Sequence, residues 1–194
     1  MSKVVAIIPA RSGSQRIPRK NIKIFHGHPI IAYSIRAAHE SGLFDRVIVS
    51  TEDDEIAEIA QRYDADVIMR PEDLADDNTG TQAVMRHAMH TCSGAEYGCC
   101  IYATAPLLDI ESLRAGYQHV KNGAVYAFAV GQYPQLHDAG QFYWGQAWAF
   151  RNGAKLIAPH TVMIPIEHER DCDINSSDDW ELAEKMYAYL QETV

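Results

Sequence analysis

The 194 residues contain only four cysteines, Cys92, Cys99, Cys100 and Cys172, and no two of them stand in a CxxC spacing. That spacing excludes a zinc ribbon or a disulfide framework as the organising element and leaves buried thiols as the ordinary reading. No apolar run approaches the roughly 20 residues that a membrane span requires, and the opening MSKVVAIIPAR ends its short apolar run in charge, unlike a secretory leader. A cytoplasmic protein with no membrane partner is expected. Positive charge is scarce as well: 17 Lys and Arg face 26 Asp and Glu, for a net charge of -9. A general nucleic-acid binder, which presents a broad basic face, is therefore not expected. No internal repeat, low-complexity tract or linker interrupts the chain. With 47% hydrophobic residues it is long enough for one well-buried core, so residues 1–194 read as a single domain.

What is present is an alternation of strand and helix patterns. Short β-branched runs occur at Val4 to Ile8, Arg46 to Ser50, Asp66 to Met69, Cys99 to Ala103, Val125 to Val130 and Val162 to Pro165. Helical periodicity falls at Pro29 to Ser41, Asp53 to Tyr63, Thr79 to Thr91, Ile110 to Val120 and Ser177 to Leu190. The alternation predicts an α/β fold, a parallel or mostly parallel sheet with helices on both faces. Gln141 to Phe150, QFYWGQAWAF, is dense in aromatics and suits packing or an interface.

The scarce positive charge is unevenly placed. IIPARSGSQRIPRKN puts Arg11, Arg16, Arg19 and Lys20 in one loop directly after the first strand pattern. In an open α/β sheet ligands bind beyond the carboxyl ends of the strands, where this loop lies. The loop from Ala10 to His28 is long for a strand-to-helix connection. Ser12, Gly13 and Ser14 let backbone N–H groups approach an anion, and the cationic side chains suit several phosphates. The loop is neither a GxxxxGK[ST] nor a GxGxxG element.

The same stretch resembles the IPARxGSKRIPRKN signature of the acylneuraminate cytidylyltransferases, the CMP-sialic acid synthetase family. Further similarities follow in order: IVSTEDDEIAEIA, RPEDLADDNTGT, CCIYATAPLL, HDAGQFYWG and DINSSDDWELAE. IYATAP and HDAGQFYWG are most similar to the family's pseudaminic acid branch. The resemblance implies a Rossmann-like, three-layer nucleotide-diphospho-sugar transferase fold with a mostly parallel mixed sheet. It also implies Mg2+ as cofactor, CTP and a nine-carbon acidic sugar as partners, and a homodimer whose dimerisation and sugar-binding segment lies around residues 131–150.

Carried over motif by motif, the resemblance places Ala10, Arg11, Ser12, Gly13, Ser14, Lys20 and Asn21 on the nucleotide, with Arg70, Asp77, Thr79 and Thr81 beyond them. Tyr102 and Thr104 fall at a strand end where the two substrates should meet, a core aromatic being the alternative for Tyr102. The resemblance implies a sugar-facing or dimer-facing role for His137, Asp138 and Gln141, and places Asp173 on the metal. Arg11, Lys20 and Asp173 are the residues it implies for catalysis. Three features depart from the family pattern. Gln15 stands where Lys is usual, with Arg16 beside it, and Asn175 stands where a second carboxylate is usual. Only GQYPQL separates the strand near Val130 from HDAG, where the family carries several tens of residues. A segment missing from the sequence is the expectation for that gap, a contracted substrate lid its alternative. Asp171 reads as a solvated loop acid.

The activity so implied is CTP plus pseudaminic acid giving CMP-pseudaminic acid and pyrophosphate, with the N-acetylneuraminate or legionaminate synthetases as alternatives. A glycosyltransferase using Asp171 and Asp173 as a DxD pair, or a non-catalytic nucleotide-binding protein, are the rival classes.

Overall fold

The computed structural model describes residues 3–76 and 79–192. The chain begins with β1 (Val4–Pro9), the short hairpin of β2 (Ile24–Phe25) and β3 (His28–Pro29), α1 (Ile31–Ser41), β4 (Arg46–Thr51), α2 (Asp54–Arg62) and β5 (Asp66–Met69). It continues through α3 (Thr81–Thr91), β6 (Tyr97–Ile101), α4 (Ile110–Lys121), β7 (Tyr126–Gly131) and β8 (His137–Gln146). The last elements are α5 (Ala147–Asn152), β9 (Thr161–Pro165) and α6 (Ser177–Glu192).

Seven strands form one sheet in the order β5-β4-β1-β6-β8-β7-β9. Every pairing is parallel except those of β8, which runs antiparallel to both β6 and β7. The α/β architecture with a mixed, mostly parallel sheet is thus as expected. Alternation along β1 explains the layering: Val4, Ala6 and Ile8 point into one core, Val5 and Ile7 into the other. The first core is closed by α1, α2 and α4 through Ile31, Ile35, Ile56, Ile59 and Leu113. The second is closed by α3 and α5 through Met85, Met89 and Phe150.

Local chemistry sets the helix ends. Asp53 accepts from the Ile56 N–H at 2.9 Å and Asp109 from the Ser112 N–H at 2.8 Å, each capping the helix that follows it. Gly42 ends α1 at φ 66°, where a side chain would be strained. Pro29 belongs to β3, so α1 starts later than periodicity suggested. The aromatic run has become most of β8, a strand whose Phe142 and Trp144 face one core and Tyr143 the other.

The brief connection before HDAG is a closed turn. Gly131 pairs with His137 across β7 and β8, so residues 132–136 complete a hairpin in this chain.

A third, smaller apolar cluster holds the basic loop. Ile17 from that loop packs with Phe25 and Ile30 of the β2–β3 region, with Trp180 and Ala183 of α6, and with Ile174. The loop after β1 and the segment before α6, 154 positions apart in sequence at Lys20 and Ile174, are thereby brought together. Among the described residues no helix is long and apolar enough to cross a membrane. Cys92, Cys99 and Cys100 are buried and Cys172 half-buried, all as free thiols.

Candidate active site

A pocket of about 450 Å³ opens at the carboxyl ends of β1 and β6. The basic loop supplies Arg11, Ser14, Gln15, Arg16, Lys20 and Asn21 to its wall. Arg70 follows β5, Thr79 and Thr81 lead into α3, and Tyr102 and Thr104 follow β6. Nine of the residues expected at the site, Arg11, Ser14, Lys20, Asn21, Arg70, Thr79, Thr81, Tyr102 and Thr104, therefore share one cavity. Asp77 lies outside the described residues.

The loop is shaped by its own hydrogen bonds. Asn21 Nδ2 donates to the Arg11 carbonyl at 2.9 Å, closing the loop on itself. Lys20 Nζ donates to the Ile174 carbonyl at 2.6 Å. Burial pushes the Lys20 ammonium below its usual pKa; nearby Asp173 opposes that, while Arg16 and Arg11 add to it. An ammonium held by one carbonyl among other cations gains when an anion arrives.

Arg19 does not join the cationic wall. It takes a left-handed backbone at φ 53° and turns its guanidinium to Asp53 at 2.7 Å and to Glu55, at the start of α2. Two carboxylates at a helix N-terminus outcompete the pocket for it, so the charge expected from Arg19 is absent there. Ser12 departs in a similar way. Its N–H and hydroxyl both donate to Glu52 Oε1, at 2.7 and 3.0 Å, a partner that the sequence reading missed. Ala10 is buried and bonds the Ser50 carbonyl through its N–H at 2.9 Å, which fixes where the loop leaves the sheet. Gly13 is exposed.

Arg70 is inside the protein, its side chain only 2% exposed, with Nη2 on Glu52 Oε2 at 2.9 Å and Nη1 on the Ser50 carbonyl at 3.3 Å. Its Nε has no partner. Burial lowers the guanidinium pKa and Glu52 offsets this. A surface arginine before a proline would show none of this.

The remaining expected residues gather beside the pocket around a bulge in β8. Phe128 and Tyr143 are paired, as are Val130 and Asp138, so β8 carries extra residues between these pairs. Gly140 sits in that bulge at φ 62°, and its N–H donates to Asp138 Oδ1 at 2.9 Å. A Cβ on Gly140 would lie 2.7 Å from the Asp173 carboxyl carbon, so glycine is what lets Asp173 approach. Asp138 is raised above the usual carboxylate pKa by enclosure and by Asp173, with the Gly140 N–H and His137 acting the other way. The residue as a whole is nevertheless exposed. Gln141 is buried: Nε2 donates to the Arg170 carbonyl at 2.6 Å and Oε1 has no partner.

Asp171 is not a solvated acid. Its side chain is 6% exposed and bonds His137 Nε2 at 3.1 Å, while the other His137 nitrogen faces the Gln135 carbonyl at 2.9 Å. Asp173 instead accepts from Asn175 Nδ2 at 2.5 Å. The two acids therefore address different partners and do not form a DxD pair.

Asp173 and Asp138 offer carboxylate oxygens of like charge to one region, and such a pair is relieved by a hard cation. No group of three or more His, Cys, Asp or Glu side chains that could hold a metal occurs among the described residues. The donor set fits a divalent ion that keeps waters and takes phosphate oxygens from a ligand, and does not fit an all-protein cage.

Residues 5–143 match the family model described as Cytidylyltransferase. The pseudaminic acid cytidylyltransferase of Campylobacter jejuni serotype O:2 is 34% identical, over 98% of this chain and 99% of its own. That alignment runs over 229 positions, so the relative carries residues that this chain of 194 lacks. A CMP-N,N'-diacetyllegionaminic acid synthase of Legionella pneumophila is 44% identical over 40% of this chain and 34% of its own. Among solved structures, a CMP:2-keto-3-deoxy-manno-octonic acid synthetase complexed with CTP shares the fold, with a TM-score of 0.79 at 16% identity over 100% of both chains.

Proposed function

From the fact that this chain belongs to the cytidylyltransferase family, we propose that it activates a nine-carbon acidic sugar, pseudaminic acid, by joining it to the CMP portion of CTP with release of pyrophosphate. The observation that carries the reading is the convergence of Arg11, Lys20 and Arg70 on one cavity in an otherwise acidic chain.

In this reading the triphosphate lies along the basic loop. Arg11, Ser14 and Lys20 grip it, Asn21 holds the loop closed, and Arg70, Thr79 and Thr81 line the nucleotide's other side. Ala10 and Gly13 contribute backbone shape. The sugar lies toward Tyr102, Thr104, His137, Asp138 and Gln141. Its anomeric hydroxyl oxygen attacks the α-phosphorus and its proton passes to solvent; a new P–O bond forms, and the bond to the oxygen bridging to the β-phosphate breaks as pyrophosphate leaves. Side chains need form no bond of their own: they align the attack and hold cations where negative charge accumulates. Asp173, with Asp138 beside it, would hold Mg2+, which would supply positive charge against the phosphates. Lys20 sits close enough to Asp173 to sense its charge, so loop and metal side are set in one geometry.

The same reading makes the protein a homodimer through the segment around 131–150. Tyr133, Leu136 and Trp148 support it, being 70%, 55% and 49% exposed respectively.

The decisive experiment is a pyrophosphate-release assay with CTP, Mg2+ and a panel of pseudaminate, legionaminate and N-acetylneuraminate. Release with pseudaminate fastest is expected. No release with any acid would refute the activity, and faster turnover of another acid would reassign the sugar.

A further inference from the structure

Glu52 follows β4 directly, and its side chain is 12% exposed. It is absent from the pocket wall, yet its two oxygens divide between Arg70, which lines that wall, and Ser12, the neighbour of wall residue Arg11 in the basic loop. Oε1 takes the N–H and hydroxyl of Ser12, where the basic loop begins, at 2.7 and 3.0 Å. Oε2 takes Arg70 Nη2 at 2.9 Å, after β5. The main chain ties the same three strand ends together: Ala10 N–H to the Ser50 carbonyl, and Arg70 N–H to the Thr51 carbonyl, both at 2.9 Å.

A carboxylate next to a polyanion site repels the ligand unless its charge is neutralised and its oxygens are fully engaged. Here both conditions hold. Burial acts to raise the Glu52 carboxyl, but the Ser12 donors and Arg70 prevail and keep it below the usual range, so it is ionised. Without it, buried Arg70 would keep only the Ser50 carbonyl among these contacts and would lose its counter-charge. Ser12 would lose the acceptor that sets the loop's first turn.

We propose that Glu52 is a positioning residue for the nucleotide: one carboxylate fixes the start of the basic loop through Ser12 and the guanidinium of Arg70 across from it, so that both meet the ligand in register. This deepens the reading of the pocket as a CTP site and rests on it. The competing account is an ion pair that merely stabilises the fold.

The test uses the full chain as wild type, Glu52→Gln and Glu52→Asp, with calorimetric titration of CTP in Mg2+ and steady-state kinetics with CTP and pseudaminate. Glu52→Gln keeps the shape and removes the charge that both partners need. Its Kd and KM for CTP are expected to rise about tenfold or more, while KM for the sugar stays within about twofold and Glu52→Asp recovers part of the loss. A folded Glu52→Gln whose CTP Kd lies within about twofold of wild type overturns the proposal. Equal rises in both KM values also overturn it, in favour of the fold-stabilising account. Should Glu52→Gln fail to fold, Glu52→Asp decides. Its shorter side chain cannot span both partners, so weaker CTP binding supports the proposal and wild-type affinity overturns it. Wild-type protein that binds no CTP overturns the reading of the site and this proposal with it, a result distinct from wild-type binding that Glu52→Gln leaves intact.

Discussion

Arg16 Nη2 donates to Asn175 Oδ1 at 2.9 Å, so the cation beside one departure from the family pattern, Gln15, reaches a second departure far along the sequence. Asn175 passes the contact on, since its Nδ2 donates to Asp173 Oδ2. An aspartate at 175 would place a third carboxylate there and turn the Arg16 contact into an ion pair. Asn175→Asp is expected to lower the Mg2+ concentration for half-maximal activity by about threefold or more, because added ligand charge tightens hard-cation sites. An Mg2+ titration of initial rates checks this. An unchanged or higher half-maximal Mg2+ concentration would count against Asp173 as ligand.

Lys20→Ala removes the ammonium that burial and neighbouring cations leave poised for an anion. Loss of a cation from the leaving-group side should reduce kcat/KM by roughly 10² to 10³. Far-UV circular dichroism should stay as in wild type, since the loop is also anchored by Ile17 in the apolar cluster. Activity equal to wild type would refute the phosphate role.

Gly140→Ala tests the bulge. Its added methyl would sit 2.7 Å from the Asp173 carboxyl carbon on a backbone at φ 62°. The left-handed backbone alone costs about 1 kcal/mol, but displacement of Asp173 should lower activity by an order of magnitude or more. Denaturant midpoints measured beside initial rates separate the two effects.

Asp179 links pH to the same segment. It accepts from the N–H groups of Asn175 and Ser176 at 2.9 and 2.7 Å and from the Ser176 hydroxyl at 2.9 Å. Burial opposes ionisation, but these donors, with Arg16 further off, hold its pKa below the ordinary 3.8. A carboxylate depressed on folding contributes stability above its unfolded pKa and loses it as pH falls through the folded value. Asp179→Asn should therefore cost about 1–3 kcal/mol near pH 7, and the difference from wild type should shrink below pH 4. Urea midpoints across that range provide the check.

Much of this was legible in the sequence because it depends on local patterns. β-branched runs and helix periodicity placed the parallel strands and the main helices, and the basic loop after β1 announced its position by charge alone. What escaped depends on partners distant in sequence. β8 was read as an aromatic patch, since both its faces are buried and no polar alternation marks it as a strand. Arg19 was counted with the loop's cations, though Asp53 and Glu55, more than thirty positions on, claim it. Asp171 read as solvated because nothing local reveals that His137 reaches it. Glu52 sits in a run of acids whose helix-starting role is the ordinary one, and only the fold shows that it faces Ser12 and Arg70. The acids following β4, Glu52 to Glu55, carried the signal in principle, since Asp53 alone supplies the cap.

β8 runs against its neighbours, and Tyr102 N–H meets the Gln141 carbonyl where β6 ends. Its first residues therefore border the pocket while Trp144, deep in a core, lies toward the other end. Variation could proceed at the two ends of this strand almost independently, the leading half adapting to a new acceptor while the trailing half keeps the scaffold intact.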